Sequence, residues 1–234
     1  MREFRRPHHR VIGTLLQAMN SSLLEATHCY FGGGTCIALL LDEYRESRDV
    51  DFLCADAHGF RQLRETVTNE SLGKLLRRPL MFAREVRADR DGIRTFIQLN
   101  GTITKIEILR EARIALRAAP QSPFGVPILD LDCLVAEKLL ANADRGMDDS
   151  TQARDVIDLA FLASRHGVRT LATGLELAEG AYGKVILREL RRVLERLAGD
   201  RRYMAASVTG LGIEDTAPLR KGLAALRSFA RRRS

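Results

Sequence analysis

The residues most suited to chemistry are two aspartates, Asp49 and Asp51, which a single valine separates. They lie in the segment 48–54, RDVDFLC, whose apolar and polar residues alternate over its first part. Such alternation predicts a β-strand that directs both carboxylates to one face. Carboxylates held this close repel each other, and a cation between them removes the penalty. Magnesium takes oxygen ligands and keeps positions open for substrate phosphates, so the pair indicates metal-assisted chemistry at a phosphate group.

A glycine-rich segment, Gly32–Thr35, precedes the aspartates and leads into an apolar stretch, Cys36–Tyr44, that is predicted to be a short helix. Because glycine loses much backbone freedom inside a helix or strand, the glycines predict a tight turn with exposed N–H groups. Unsatisfied amides at a helix start favour an anion, so Gly33, Gly34 and Thr35 are candidate phosphate-binding residues. The alternative is an ordinary loop followed by solvated aspartates, but the two features together favour the functional interpretation.

Three further strands are predicted over Met81–Ala88, Ile93–Leu99 and Thr102–Leu109, separated by Asp-Gly and Asn-Gly. Both dipeptides are typical of two-residue hairpin turns, so the segment is expected to form a meander. The third strand carries one acidic residue, Glu107, which would be costly to bury without a partner. It is either a functional carboxylate or an edge-strand residue paired with Lys105 or another neighbour.

A proline-rich segment, AAPQSPFGVP at 118–127, interrupts the chain after these strands. Three prolines preclude a helix there, and the sequence beyond it becomes helical. We therefore predict a core over residues 1–119 and a helical C-terminal lobe over residues 120–234. The lobe begins with a helix that contains Lys138 and continues with RDVIDLAFL at 154–162.

These segments, in this order, resemble one enzyme superfamily and, more narrowly, one family within it. GGT, a short helix and DVDF resemble the first motif of the DNA polymerase β-type nucleotidyltransferases. The later segments resemble, more narrowly, the AbiEii/AbiGii nucleotidyltransferase toxins of abortive-infection and type IV toxin–antitoxin systems. They are Leu131–Leu134, Lys138, Arg145 and Arg154–Leu162.

The resemblance implies an α/β fold, with a minimal nucleotidyltransferase core whose mixed, mainly antiparallel twisted sheet is flanked by helices, followed by a helical C-terminal lobe. It also implies that Asp49, Asp51 and Glu107 bind magnesium, for which manganese could substitute. In the superfamily the third carboxylate stands on a strand adjacent to the Asp-x-Asp strand, and Glu107 matches it in type and order.

The same resemblance assigns nucleotide-binding roles. Gly33, Gly34 and Thr35 would hold the triphosphate of a nucleoside triphosphate, and Lys138 would reach it as a compact charge. Asp155, oriented by Arg154, would contact the nucleotide or position the acceptor. For Asp158, a direct role and a structural role in an Arg–Asp network that pins two helices are equal alternatives.

The acceptor implied by the family is RNA, with the tRNA 3′ end as the leading candidate, and a cognate antitoxin is an expected partner. Residues 184–234 carry 13 Lys and Arg against 5 Asp and Glu, a net +8, whereas the whole chain carries +7. Such a block is typical of a surface that meets phosphates. Two alternatives share these residues: a small-molecule (antibiotic) nucleotidyltransferase, and a triphosphate-binding or kinase-like toxin without nucleotide transfer.

Composition sets wider limits. A hydrophobic content of 45% and a charged content of 29% are ordinary for a globular protein. No apolar run approaches the ~20 residues needed to span a bilayer, and the basic N-terminus leads into an amphipathic segment rather than a secretory signal. The four cysteines show no Cys-x-x-Cys spacing. We therefore expect a cytoplasmic enzyme without a zinc site or disulfides.

Overall fold

The computed structural model describes residues 3–233, which divide into two compact units. The first unit contains the residues up to Cys36 together with Ser47–Asp130. The second contains Ile37–Glu46 together with the residues from Leu131 onward. The predicted division into residues 1–119 and 120–234 concerns independent domains, and it stays a prediction.

The first unit is built around one five-stranded sheet. Its strands are β1 (Cys29–Gly32), β2 (Val50–Cys54), β3 (Met81–Ala88), β4 (Gly92–Leu99) and β5 (Thr102–Arg110). The helices that begin in this unit are α1 (Pro7–Ala18), α2 (Ser21–Ala26), α3 (Gly33–Leu40) and α4 (Ala57–Glu65).

The strand order is β1-β2-β5-β4-β3. The β2–β5 pair is parallel and the other three pairs are antiparallel, which confirms the mixed, mainly antiparallel sheet. The β3-β4-β5 meander also forms, but its first turn differs from the predicted Asp91-Gly92 turn. Gly92 already belongs to β4, and Ala88 pairs with Ile93, so the chain reverses one residue earlier than the dipeptide indicates. The second turn holds Asn100 and Gly101 at φ +50° and +76°, the left-handed conformation that a two-residue hairpin turn requires. Strand β1 was not predicted.

One face of the sheet is apolar and buried. Val50, Phe52, Ile97, Ile106 and Ile108 are each at most 1% exposed and lie at alternate positions of their strands. Helix α1 packs against β5. Since successive side chains of a strand point to opposite faces, burial of these residues directs Asp51 and Glu107 to the other face.

The second unit is helical, as predicted for the C-terminal region. Its helices are α5 (Leu131–Arg145), α6 (Arg154–His166), α7 (Val168–Tyr182), α8 (Val185–Gly199), α9 (Arg201–Gly210) and α10 (Ala217–Arg232). Helices α10 and α6 approach so closely that a Cβ at Gly222 would lie 1.8 Å from the carbonyl oxygen of Ala160. Over residues 3–233, no helix is both long and apolar enough to cross a membrane.

Candidate active site

Asp51 and Glu107 lie side by side on neighbouring strands. The parallel register of β2 and β5 pairs Asp51 with Glu107, and adjacent strands are ~4.8 Å apart. Both residues are partly buried on the face opposite the apolar one. The structure thus brings together two of the three predicted metal ligands.

Asp49 is placed differently, because it precedes β2 by one residue and is exposed. Among the described residues, no group of three or more His, Cys, Asp or Glu side chains is arranged to hold a metal ion. The three carboxylates that the resemblance implies therefore do not form such a cluster here, whereas the pair Asp51 and Glu107 is adjacent. Ligation by all three stays a prediction.

Two ion pairs hold the side chain of Glu107 in place. Its Oε2 lies 2.5 Å from Nζ of Lys105, and its Oε1 lies 3.3 Å from Nε of Arg94. The pairing with Lys105 is the one foreseen in the structural alternative, but β5 is an interior strand rather than an edge strand. To bind a metal ion, the Glu107 carboxylate would have to release Lys105 and Arg94.

The glycine segment does not form the separate turn that the sequence predicts. Gly32 is the last residue of β1 and pairs with Asp51, and α3 begins directly at Gly33. The positive φ of Gly33, +67°, lets the chain pass from strand to helix without a loop. The helix also ends at Leu40 rather than Tyr44.

Asp51 packs closely against the first residue of α3. A Cβ built on Gly33 would lie 2.5 Å from Oδ2 of Asp51, so only glycine leaves room for the carboxylate. The first N–H groups of a helix have no intrahelical acceptor and carry its positive end. Asp51 is therefore held beside backbone that favours anions. Phosphate binding by Gly33, Gly34 and Thr35 stays a prediction.

Gly33→Ala is expected to reduce nucleotide transfer about tenfold or more, because the added methyl group would displace the Asp51 carboxylate from its position. Gly125→Ala is a matched control, since Gly125 also has a positive φ, +76°, but a Cβ there has no neighbour within 4 Å. Both variants carry the backbone strain of about 1–2 kcal/mol. Equal activity of the two variants in a labelled-triphosphate assay would contradict the steric explanation.

Thr35 is buried, at 1% exposure, and ties this turn of helix to the aspartate segment. Its hydroxyl donates a hydrogen bond to the main-chain carbonyl of Asp49 and lies 2.7 Å from Oγ of Ser47. The hydroxyl therefore positions Asp49. A phosphate contact from Thr35 would most simply use its backbone N–H.

Three predicted residues of the second unit meet in a buried network. Nζ of Lys138, on α5, lies 2.8 Å from Oδ1 of Asp155 and 2.8 Å from Oδ2 of Asp158, both on α6. Lys138 is 5% exposed and Asp158 is fully buried. These contacts pin α5 to α6, which is the structural alternative considered for Asp158. Triphosphate contact by Lys138 and nucleotide contact by Asp155 stay predictions.

Two further members of the network were missed by the sequence analysis. Arg45 binds Asp158 through both carboxylate oxygens, with Nε–Oδ1 2.7 Å and Nη2–Oδ2 3.0 Å. The hydroxyl of Tyr44 donates to the same carboxylate at 2.5 Å, and its ring stacks on Phe161 at 3.8 Å between centroids. Tyr44 and Arg45 belong to no motif, and no sequence pattern indicates that their side chains are buried.

The structure places a different arginine on Asp155 from the one that the resemblance implies. Arg145, at the end of α5, donates from Nε to Oδ2 of Asp155 at 2.9 Å and from Nη2 to Oδ1 at 3.3 Å. Arg154 and Asp155 are consecutive on α6, and consecutive helical residues do not face each other. Orientation of Asp155 by Arg154 stays a prediction.

The network is charged at neutral pH. Burial by itself would raise the pKa of Asp155 and Asp158, but Lys138, Arg145 and Arg45 bind the ionised carboxylates and hold both pKa values below the usual range. Burial would lower the pKa of Lys138, and attraction to the two aspartates raises it instead. Burial and the neighbouring charge of Asp158 raise the pKa of Tyr44, which stays protonated.

The basic C-terminal block is partly committed to contacts within the second unit. Arg191 donates to the carbonyl of Ala230, and Arg192 pairs with Glu189 at 2.8 Å. Arg196 pairs with Asp149 and covers the ring of Tyr203 at 3.8 Å. Other basic residues of the block, such as Arg201 and Arg202, are exposed. RNA binding by this block stays a prediction.

The fold is similar to those of solved protein structures. A Helicobacter pylori protein assigned to the nucleotidyltransferases is similar in structure, with a TM-score of 0.55, 16% identity and coverage of 95% of this chain and 93% of that one. A second Helicobacter pylori structure has a TM-score of 0.54 and 17% identity, and the match covers 98% of this chain and 92% of that one. For MenT4, a nucleotidyltransferase toxin of Mycobacterium tuberculosis, the TM-score is 0.46 and the identity is 19%, and the match covers 96% of this chain and 87% of that one. The first of these likenesses shows an α/β nucleotidyltransferase-like fold, and the second supports the same fold.

The sequence identifies the family. The profile of the AbiEii nucleotidyltransferase toxins of type IV toxin–antitoxin systems matches residues 14–223. The chain therefore belongs to the AbiEii family, as the motifs predicted, and is a nucleotidyltransferase. This family implies a nucleoside triphosphate substrate and an antitoxin partner. No curated protein matched the chain.

Proposed function

We propose that this chain transfers a nucleotidyl group from a nucleoside triphosphate to a hydroxyl of RNA, with the tRNA 3′ end as the leading acceptor, in a reaction that depends on a divalent metal. The observation that carries the proposal is the position of Asp51. It is register-paired with Glu107 and packed against Gly33 at the start of α3. Carboxylates and helix-start amides are thereby adjacent, as a metal-bound triphosphate requires.

Asp49, Asp51 and Glu107 would hold the metal ions. Their oxygen donors suit magnesium, with manganese as a substitute, and the missing side chain at Gly33 leaves the Asp51 carboxylate its space. When bound, magnesium supplies charge neutralisation at the phosphates and lowers the pKa of an attacking hydroxyl. Thr35 holds Asp49 through its main-chain carbonyl.

In the proposed reaction, the oxygen of the acceptor hydroxyl forms a bond to the α-phosphorus. The bond between that phosphorus and the bridging oxygen to the β-phosphorus breaks, and pyrophosphate leaves with the bonding electron pair. The hydroxyl proton passes to solvent. The backbone N–H groups of Gly33, Gly34 and Thr35 would bind the phosphates that leave.

RNA and nucleoside triphosphates meet in the cytoplasm, where the proposal places the enzyme. The positive charge of the chain supports a phosphate-rich acceptor, since its net charge is +7.

The proposal is tested by incubating the full chain and total RNA with each nucleoside triphosphate, labelled at either the α- or the γ-phosphate, with magnesium or with a chelator. We expect α-label to enter RNA with at least one triphosphate, γ-label to leave as pyrophosphate, and the chelator to abolish transfer. Sequencing the labelled RNA ends then identifies the acceptor.

Other outcomes separate the alternatives. Transfer of γ-label to RNA or protein would indicate a kinase-like toxin. Transfer of α-label only to added small molecules, such as aminoglycosides, would indicate the antibiotic-modifying alternative. Triphosphate binding without any transfer would contradict nucleotidyl transfer to RNA.

A further inference from the structure

The face of the sheet that carries Asp51 extends away from it as a row of charged residues. The strand registers pair Asp51 with Glu107, Glu107 with Arg94, and Arg94 with Arg87. Register partners share a face, so these four side chains lie in one line across β2, β5, β4 and β3. With neighbouring strands ~4.8 Å apart, the backbone of Arg87 lies about 14 Å from the backbone of Asp51.

A second row lies beside the first. Arg84 pairs with Phe96, and Phe96 pairs with Lys105, on β3, β4 and β5. The guanidinium of Arg84 lies over the Phe96 ring at 4.6 Å from its centroid. We call Arg84, Arg87, Arg94, Phe96 and Lys105 together the basic sheet face.

The charges on the basic sheet face are not fully compensated. Arg94 pairs with Asp89 and Glu107, and Lys105 pairs with Glu107. Over residues 3–233, neither Arg84 nor Arg87 forms a salt bridge, and both are exposed. Arg87 also stands opposite another cation, Arg94, and like charges in such a pair are destabilising. An anion on this face would relieve that repulsion.

Exposed apolar side chains complete the same face. Met81 pairs with Gln98, and Gln98 pairs with Ile103, which forms a third row beside the Arg84 row. Met81 is 65% exposed and Ile103 is 56% exposed, more than the other exposed large hydrophobic residues over 3–233, Met147 and Val168. The face therefore combines cations, a guanidinium stacked on an aromatic ring, and accessible apolar surface.

We propose that the basic sheet face binds the single-stranded end of the acceptor RNA and leads its terminal hydroxyl along the rows to Asp51. This assignment rests on the proposed function and names the surface through which it recognises its acceptor. It differs from the expectation that the C-terminal block grips the RNA.

The chemistry of the face selects a single strand rather than a duplex. Unpaired bases stack on aromatic rings and on guanidinium planes, and Arg84 over Phe96 presents one such plane. The phosphates of the same strand would meet Arg87 and Arg94. A duplex has its bases already stacked and offers mainly phosphates, so it would leave Arg84, Met81 and Ile103 without their preferred contacts.

The test compares two double variants of the full chain that change the charge equally, Arg84→Glu with Arg87→Glu and Arg201→Glu with Arg202→Glu. All four arginines are exposed. Binding of a short fluorescein-labelled single-stranded RNA and of a fluorescent nucleoside triphosphate is measured by anisotropy between about 50 and 200 mM salt, and RNA labelling is measured in parallel.

We expect the Arg84/Arg87 variant to weaken RNA binding about tenfold or more and to reduce RNA labelling correspondingly. The magnitude of the log–log salt slope should fall by about 0.7 or more, since Arg87 is the phosphate contact that the variant removes. Triphosphate binding should be unchanged, and the Arg201/Arg202 variant should resemble the parent. Should the double reversal unfold the sheet, Arg84→Gln with Arg87→Gln keeps much of the side-chain length and is expected to weaken binding in the same direction.

Parental RNA binding and labelling by the Arg84/Arg87 variants would overturn the assignment, as would an equal loss in the Arg201/Arg202 variant. Failure of the proposed function looks different. In that case the parent chain would bind the RNA through this face, with the same sensitivity to Arg84 and Arg87, but would label none.

Discussion

Asp51→Ala is expected to abolish nucleotide transfer, with a loss on the order of 10³-fold or more, while the chain stays folded. Asp51 is the carboxylate that the sheet fixes beside both Glu107 and the start of α3. Its removal should not unfold the unit, because it relieves the repulsion between two neighbouring carboxylates. The melting temperature is therefore expected near or above that of the parent. Transfer of α-labelled triphosphate and thermal unfolding are the two measurements.

The control for this variant is Asp91→Asn, which removes one exposed carboxylate from the β3–β4 turn and keeps a residue that such turns accept. It should retain parental activity. Asp51→Asn should resemble Asp51→Ala, because it keeps the size of the side chain but loses the charge. Parental transfer by either Asp51 variant would rule out the proposed site.

Asp158→Ala is expected to destabilise the second unit by about 3–5 kcal/mol, which lowers the melting temperature by roughly 10 °C. The carboxylate is fully buried and accepts bonds from Tyr44, Arg45 and Lys138. Without it, Arg45 is left as a buried cation without its carboxylate partner, which is the costly consequence of breaking such a pair. Denaturant and thermal unfolding of the full chain measure the loss.

The stabilisation should also depend on pH in a defined way. Because the pKa values of Asp155 and Asp158 are depressed in the folded chain, their contribution is present above the usual carboxylate pKa of ~3.9 and is lost as the pH falls through the lower folded values. The raised pKa of Lys138 gives a contribution that is present below ~10.4 and lost as the pH rises further. The difference in stability between the parent and Asp158→Ala should therefore be nearly constant between these limits and shrink below pH ~4.

Glu195→Ala is the matched control in the same unit, because Glu195 is an exposed carboxylate on α8. It should change stability by no more than about 0.5 kcal/mol. A double variant, Arg45→Met with Asp158→Leu, should be more stable than Asp158→Leu alone, since it removes the uncompensated cation. If Asp158→Ala melted with the parent and lost only activity, Asp158 would act on substrate rather than on packing.

The sequence by itself determined several of the elements, though not β1, and one part of the sheet. Alternation predicted β2 and the meander, and the two-residue turn Asn100-Gly101 even fixes the register of β4 and β5. Counting outward from that turn pairs Leu99 with Thr102 and Arg94 with Glu107, as the structure has them. Local hydrogen-bonding geometry decides such a hairpin, so the ion pair of Arg94 and Glu107 was available from the sequence.

Only the tertiary structure decided which residues meet across long separations. The parallel pairing of β2 with β5 depends on how the apolar faces pack, and its register sets Asp51 beside Glu107. The family resemblance implied that the two strands are neighbours, but no local pattern gives this register. Tyr44 and Arg45 reach Asp158 across more than a hundred residues of chain, and no periodicity records that contact. The direct passage from β1 into α3 at Gly33 could not be predicted from the sequence either. Three consecutive glycines are compatible with a loop as well as with a single residue of positive φ between a strand and a helix. Local sequence patterns indicate whether the backbone favours a helix, a strand or a turn. The order of the strands and the burial of charged side chains depend on how the whole unit packs.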